Sequence, residues 1–384
     1  MKKVVVASDS FKGSLTSSEV ADAVSSAVHD IYPDCKIIKV NMADGGEGLL
    51  SSLKGCLKGE LEEITVHDPV GRLIQAGYLT YEHGGLRTAV IEMAKASGLT
   101  LLDGSERNPL LTSTYGTGEM ILDAFRKGCR RFIIGIGGSA TNDGGTGMLE
   151  ALGFRFLDRN LEEISGCNGS TLGRINRIDT SHIKIRLEEC AFIVACDVEA
   201  VFSGPLGATH VFAPQKGADP MMLDELEAGM KSFEDVIAET TGKRLSEIKG
   251  SGAAGGTGGA LYAFLGAELK SGAELITELI GFEELIMDAD LVITGEGRID
   301  GQTLMGKGPA IIARKAGNCG IPAIAICGYS ELETGDPFKA ILPISRKPET
   351  AKELADAMEP FNAQMNIRKS ITDYFKKNFE KKST

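Results

Sequence analysis

Three polar segments carry the residue types that phosphoryl chemistry needs: SDSFKGS at 8–14, ADGGEG at 43–48 and TGEGRID at 294–300. Together they hold five carboxylates, Asp9, Asp44, Glu47, Glu296 and Asp300, and two cations, Lys12 and Arg298. Carboxylate oxygens are hard ligands suited to a magnesium ion on phosphate, and a transferring phosphoryl group needs cations around it. A single Asp beside Gly is ordinarily a cap or turn residue. Three such segments leaving strands on one sheet edge would be a site. Lys307 closes a G-x-x-x-x-G-K match at 301–307, but Gly308 stands where a P-loop places Ser or Thr. Lys307 is therefore read as a point charge for phosphate rather than as part of a P-loop.

A second group lies in FIIGIGGSATNDGGTG at 132–147, where a strand runs into glycines and can aim backbone N–H groups at an anion. Gly137, Gly138, Ser139 and Asn142 are its candidates for nucleotide or phosphate contact, with Gly255 in the run SGAAGGTGG at 251–259. Gly135, Gly137 and Ala140 also fit G-x-G-x-x-A, with Asp158 following the strand-like 154–157, which keeps an NAD(P)-dependent dehydrogenase of a small hydroxy acid in play. Against it, the fingerprint's helix would contain Gly144, Gly145 and Gly147, each costing about 1 kcal/mol relative to Ala. Asp197 follows the apolar run 191–196 and so sits at a strand end. The five histidines form no H-x-x-x-H or His/Cys cluster, and no G-x-S-x-G elbow occurs.

These segments need a scaffold, and the chain supplies one. Its 384 residues, 42% hydrophobic and 24% charged, suit a folded protein of two domains. Short apolar runs at 4–7, 36–40, 289–294 and 322–327 alternate with helix-compatible stretches at 17–28 and 309–316, the βα rhythm of a parallel sheet built from both chain ends. The alternating run 61–66 is read as another strand of that sheet, and 338–344 as a last one. A final helix opening at Pro360 would bury Phe361, Met365, Ile371, Tyr374 and Phe379. The expected division is a discontinuous domain, 1–67 plus 283–384, with an inserted domain at 68–282. The net charge of −12 disfavours nucleic acid and anionic membranes as partners. Eight cysteines without a C-x-x-C pair fit reduced thiols in a cytoplasmic protein.

The motifs resemble those of bacterial type 1 glycerate kinases. The similarity runs, in order, through DSFKGS at 9–14, ADGGEG at 43–48, DPVGR at 68–72, IEMAKASGL at 91–99, RNPL at 107–110, TSTYGTG at 112–118, IGGSATNDGG at 136–145, FAPQKGA at 212–218 and TGEGRIDGQT at 294–303. The resemblance implies ATP-dependent phosphorylation of D-glycerate with Mg2+, 2-phosphoglycerate being favoured over 3-phosphoglycerate. It also implies a flavodoxin-like parallel-sheet domain with an inserted α/β domain. One departure is Ala200, where the family usually has Asn after C-D-V-x.

On that footing, Asp9, Lys12 and Asp197 are expected at the chemistry, with Asp197 or Asp9 as the base for the substrate hydroxyl and Lys12 and Lys307 on phosphates. Arg72 and Arg298 are the candidate forks for the glycerate carboxylate, with Ser10 beside the substrate. Magnesium would take Asp44, Glu47 or Glu296. A non-catalytic metabolite-binding protein is the third reading, and self-association stays open.

Overall fold

The computed structural model describes residues 1–42, 48–54, 57, 59–304, 306–333 and 335–379. Its strands in chain order are β1 (Lys3–Ser8), β2 (Lys36–Asn41), β3 (Glu60–His67), β4 (Leu73–His83), β5 (Leu86–Glu92), β6 (Arg131–Gly135), β7 (Arg155–Leu157), β8 (Glu163–Ile164), β9 (Arg177–Asp179), β10 (Ala191–Ala195), β11 (Glu268–Lys270), β12 (Leu291–Ile299), β13 (Ala323–Ser330) and β14 (Ala340–Pro343). Two compact units result: unit 1 from 1–44, 51–56 and 273–384, and unit 2 from 45–50 and 57–272. Among the described residues, no helix is long and apolar enough to cross a membrane.

Unit 1 holds a wholly parallel sheet in the order β14-β13-β12-β1-β2. Numbered within the unit this is 2-1-3-4-5, the flavodoxin-like order, whose strand sequence reverses between β1 and its neighbour β12. Val4, Val5 and Val6 are fully buried although successive side chains point to opposite faces, so both faces of β1 are covered. One covering helix, Ser17–Ile31, starts at a capping box in which Glu19 N–H donates to Thr16 Oγ1 and Thr16 N–H donates to Glu19 Oε2. It buries Val20, Val24, Ala27 and Val28 in the same core as the last helix, Pro360–Phe379. That helix buries Ala363, Ile367, Ile371, Tyr374 and Phe375, while Phe361 and Met365 are exposed. The buried stripe is thus rotated from the one expected, because the contact with Tyr32 and the first helix selects Phe375 rather than Phe361.

Unit 2 carries a six-stranded sheet, β11-β10-β6-β5-β4-β3, in which β11, β10, β6 and β5 are parallel and β4 and β3 antiparallel. The run 61–66 therefore joins this sheet, not the parallel sheet of unit 1, and the long span of unit 2 is 57–272 rather than the expected 68–282. Its alternating pattern is that of an antiparallel strand with one solvated face, whereas β1 is apolar without a break from Val4 to Ala7. A small antiparallel sheet, β8-β7-β9, stands apart.

Close backbone approach in unit 2 depends on glycine at Gly118 in helix Tyr115–Arg126. A Cβ there would stand 2.3 Å from the Met148 carbonyl oxygen and 2.7 Å from Ala151 Cβ. Gly118→Ala is expected to destabilise the protein by about 1–3 kcal/mol, the usual cost of overpacking. A urea midpoint equal to the wild type's would show that the two helices can part without cost.

Candidate active site

In an open α/β sheet, ligands bind beyond the carboxyl ends of the strands where the strand order reverses. In unit 1 that point is the β1/β12 pair, whose register ends at Ser8 opposite Gly295. Asp9 and Glu296 are the next residues on the two strands. The Asp9 N–H donates to the Gly295 carbonyl at 2.9 Å, and Asp9 Oδ1 accepts the Ser10 N–H at 2.6 Å. The turn carrying Phe11 and Lys12 lies over Gly297, with Lys12 N 3.7 Å from where a Gly297 Cβ would stand.

TGEGRI at 294–299 is strand, not loop: β12 outruns β1 and stays paired with β13 through Ile299. The segment can remain extended because β13 supplies ladder partners on one side. Beyond it, Asp300 turns the chain, its Oδ1 accepting N–H groups from Gln302 and Thr303. Burial raises the Glu296 carboxyl above the ordinary carboxylate range, and Asp300 adds to this. The Thr303 hydroxyl, which donates to Glu296 Oε1 at 2.6 Å, and the charges of Lys307 and Lys12 oppose it. Glu296, Lys12 and Lys307 thus form one electrostatic cluster at the switch point, with Asp9 beside it.

The two arginines differ in availability. Arg72 commits all three guanidinium nitrogens: Nε to Asp68 at 2.5 Å, Nη1 to Glu106 at 2.8 Å, and Nη2 to the Leu101 carbonyl at 3.1 Å. Arg298 pairs through Nε with Asp300 at 3.2 Å and through Nη2 with Glu331 at 3.0 Å, and no described residue engages its Nη1. Asp44 and Glu47 lie outside the described residues.

In unit 2 the same geometric rule points to the carboxyl ends of β5, β6, β10 and β11. Gly135 stands level with Glu92 and Ala195, and Ala195 with Lys270. Gly137 and Asp197 each lie two residues past the Gly135–Ala195 pair. Asp197 is exposed, and both its oxygens accept the Gly272 N–H, at 3.1 and 3.2 Å, at the start of helix Gly272–Leu279. Glu92, buried, accepts N–H groups from Gly48 and Leu50 at 3.0 and 2.9 Å.

The loop after β6 is pinned by a bridge between Ser139 and Gly98, with Leu99 N–H donating to the Gly138 carbonyl and Ala140 N–H to the Ser97 carbonyl. Gly138 is exposed, with φ +71°. Among the described residues, none accepts from the N–H groups of Gly137, Gly138 or Ser139. Three consecutive unengaged N–H donors are a candidate cradle for an anion. Asn142 is different: it is fully buried, its Nδ2 donates to Thr209 Oγ1 at 3.3 Å, and its Oδ1 has no partner. Gly255, with φ +66°, packs against it, since a Cβ there would stand 2.1 Å from the Thr141 carbonyl oxygen. Both Asn142 and Gly255 are buried.

A dinucleotide fold would need the strand before Asp158 to neighbour β6. That strand, β7, belongs to the separate three-stranded sheet, and Asp158 Oδ1 accepts the N–H groups of Asn160 and Glu162 in a turn. The helix after the glycines, Thr146–Ala151, has only six residues. The dehydrogenase reading falls on both counts.

Two site residues had no role from sequence, Glu92 and Lys216. Both stand in the quoted motifs, but their significance is burial, which motif membership does not reveal. Lys216 is 2% exposed and donates from Nζ to Ser139 Oγ and to the Thr141 carbonyl, each at 2.7 Å.

Comparison with known proteins gives the family. The glycerate kinase family model matches residues 4–375. A Bacillus subtilis glycerate kinase is 46% identical over 85% of both chains, and an Escherichia coli glycerate 2-kinase 45% identical over the same shares. A crystal structure from Salmonella typhimurium LT2, provisionally assigned as glycerate kinase 2, superposes with a TM-score of 0.82 at 39% identity, covering 100% of each chain. With a parallel sheet whose switch point gathers carboxylate and lysine charge, and with relatives matched over most of their length, the chain belongs to the glycerate kinase family.

Proposed function

We propose that the protein is an ATP-dependent D-glycerate kinase that phosphorylates the 2-hydroxyl. The observation that carries this reading is the unit 1 switch point, where Glu296 stands within the fields of Lys12 and Lys307 and next to Asp9. Phosphoryl transfer asks for positioning and charge neutralisation more than covalent chemistry. Family membership supplies the kinase activity, and the name of the Escherichia coli relative favours the 2-hydroxyl.

Magnesium fits the donor set. It commonly takes one or two carboxylates and fills its remaining positions with water and phosphate oxygens. Glu296 therefore suffices as a protein ligand, with Asp44 and Glu47 as further candidates, although no described cluster of three or more His, Cys, Asp or Glu could hold an ion. The ion, when bound, would neutralise charge on the nucleotide phosphates.

The chain's own groups do the rest. Lys12 and Lys307 hold phosphate oxygens as point charges. Arg298 is the better partner for the glycerate carboxylate because its Nη1 is unengaged, while each nitrogen of Arg72 already donates to Asp68, Glu106 or Leu101. Ser10 sits beside Asp9 and would contact the substrate. In unit 2, the N–H cradle at Gly137, Gly138 and Ser139 binds an anionic group, and Asp197 accepts the hydroxyl proton.

The test is ADP release from purified protein with D-glycerate and Mg·ATP, coupled through pyruvate kinase and lactate dehydrogenase. Product identity follows from enolase: if enolase alone converts the product to phosphoenolpyruvate, the 2-hydroxyl is the acceptor. A requirement for phosphoglycerate mutase would assign the 3-hydroxyl, and ligand binding without turnover would support a metabolite-binding protein.

A further inference from the structure

Lys216 is a buried amine without an ion-pair partner. It follows helix Ala208–Phe212 in the short turn Pro214–Lys216, and Gly217, with φ +97°, closes that turn against the Arg107 backbone. No described carboxylate lies within ion-pair distance of its Nζ. Its two partners, Ser139 Oγ and the Thr141 carbonyl, both belong to the glycine loop after β6. The charged side chains around it are otherwise occupied. Arg107 is exposed, and His210 faces Glu227 at 3.9 Å. Asp143 is fully buried and accepts from Thr114 N–H and Oγ1 and from the Gly145 and Gly147 N–H groups.

A buried cation with no ion-pair partner is costly, and the more distant charge of Asp143 offsets only part of that cost. Three unengaged N–H groups lie on the same loop that Lys216 bonds, and they are where an anion could be held. Ser139 Oγ accepts from Lys216, and no described residue takes the Ser139 hydroxyl proton. That proton is available to a ligand. Lys216 and Ser139 are buried and bonded to each other, and Gly138, the neighbour of Ser139, is exposed.

We infer that Lys216 is a positioning residue that completes an anion site at Gly137–Ser139 from within, orienting the Ser139 hydroxyl toward the bound anion and supplying its counter-charge through that hydroxyl. The anion is an oxyanion of the reactants, either a nucleotide phosphate or the carboxylate of the hydroxy acid. This rests on the kinase reading above and adds a proton to its binding step. Burial holds the free amine down at about 7, with the charge of Asp143 opposing that shift. An anion on the loop favours the ammonium and raises that value. Above pH 7 the free site is mainly neutral and the occupied site charged, so binding takes up a proton and weakens as pH rises, by at most about tenfold per pH unit.

The test is calorimetric titration of the full-length protein at pH 8 in HEPES and in Tris, whose ionisation heats differ, with Mg·ATP in one arm and D-glycerate in the other. Neither ligand titrates near that pH. Uptake close to one proton is expected in one arm, which identifies the anion, and it should vanish in Lys216→Met. Ser139→Ala leaves the lysine in place and should weaken the same ligand about tenfold while leaving the other unchanged; this arm stands even if Lys216→Met does not fold. A lysine that merely packs the core would lower thermal stability when replaced but leave proton uptake intact. Turnover of glycerate with no uptake in either arm, or an unchanged Kd in Ser139→Ala, would overturn the inference and leave the kinase reading standing. Absence of both turnover and binding would overturn the two together.

Discussion

Lys12→Met is expected to lower kcat by about 10³-fold with no loss of folded protein, the scale seen when one preorganised charge on a developing oxyanion is removed. The side chain is exposed, so its replacement opens no cavity. Its charge nevertheless reaches Glu296 at the switch point, together with that of Lys307. Methionine keeps the length and removes the charge, which separates electrostatics from shape. The coupled assay reads the loss, and an unchanged thermal midpoint shows that the fold is intact. Activity within tenfold of the wild type would remove Lys12 from phosphate contact.

Asp197→Asn is expected to lower kcat by about 10²-fold or more with KM little changed, the scale of general-base catalysis. The substitution is chosen because Asp197 has a structural contact as well: its carboxylate accepts the Gly272 N–H where helix Gly272–Leu279 begins. Asparagine still offers a carbonyl oxygen to that N–H and is an equally good residue at a helix start. That contact therefore survives, while the capacity to accept a proton is lost. An effect confined to KM would make Asp197 a binding residue and move the base to Asp9.

The two variants probe different units, and the physical grounds for them differ. Asp9 and Glu296 come together because β1 and β12 are parallel neighbours at a reversal of strand order, so residues nearly 290 apart in sequence follow directly on a paired register. Gly137 and Asp197 come together in the same way, through the β6–β10 register.

Much of this was legible in the residues alone. Valines on both faces of a short strand mean burial on both sides, and βα alternation at the two chain ends means a parallel sheet. Polar segments after such strands must then share its carboxyl edge, which located Asp9, Lys12 and Glu296. Their motifs also identified the family, since nine segments in order leave little room for coincidence. What sequence could not supply is what depends on neighbours distant along the chain. The run 61–66 joined the sheet of unit 2 because β4 is there to pair with it, and TGEGRI stayed extended because β13 continues alongside. The last helix buried Phe375 instead of Phe361 because Tyr32 stands opposite. Arg72 and Arg298 are the same residue type in similar motifs, yet one is fully paired and the other retains an unengaged nitrogen. Lys216 shows the difference most clearly: a lysine between glutamine and glycine reads as a surface charge, and only the packing that removes water from its amine turns it into a group that responds to an anion.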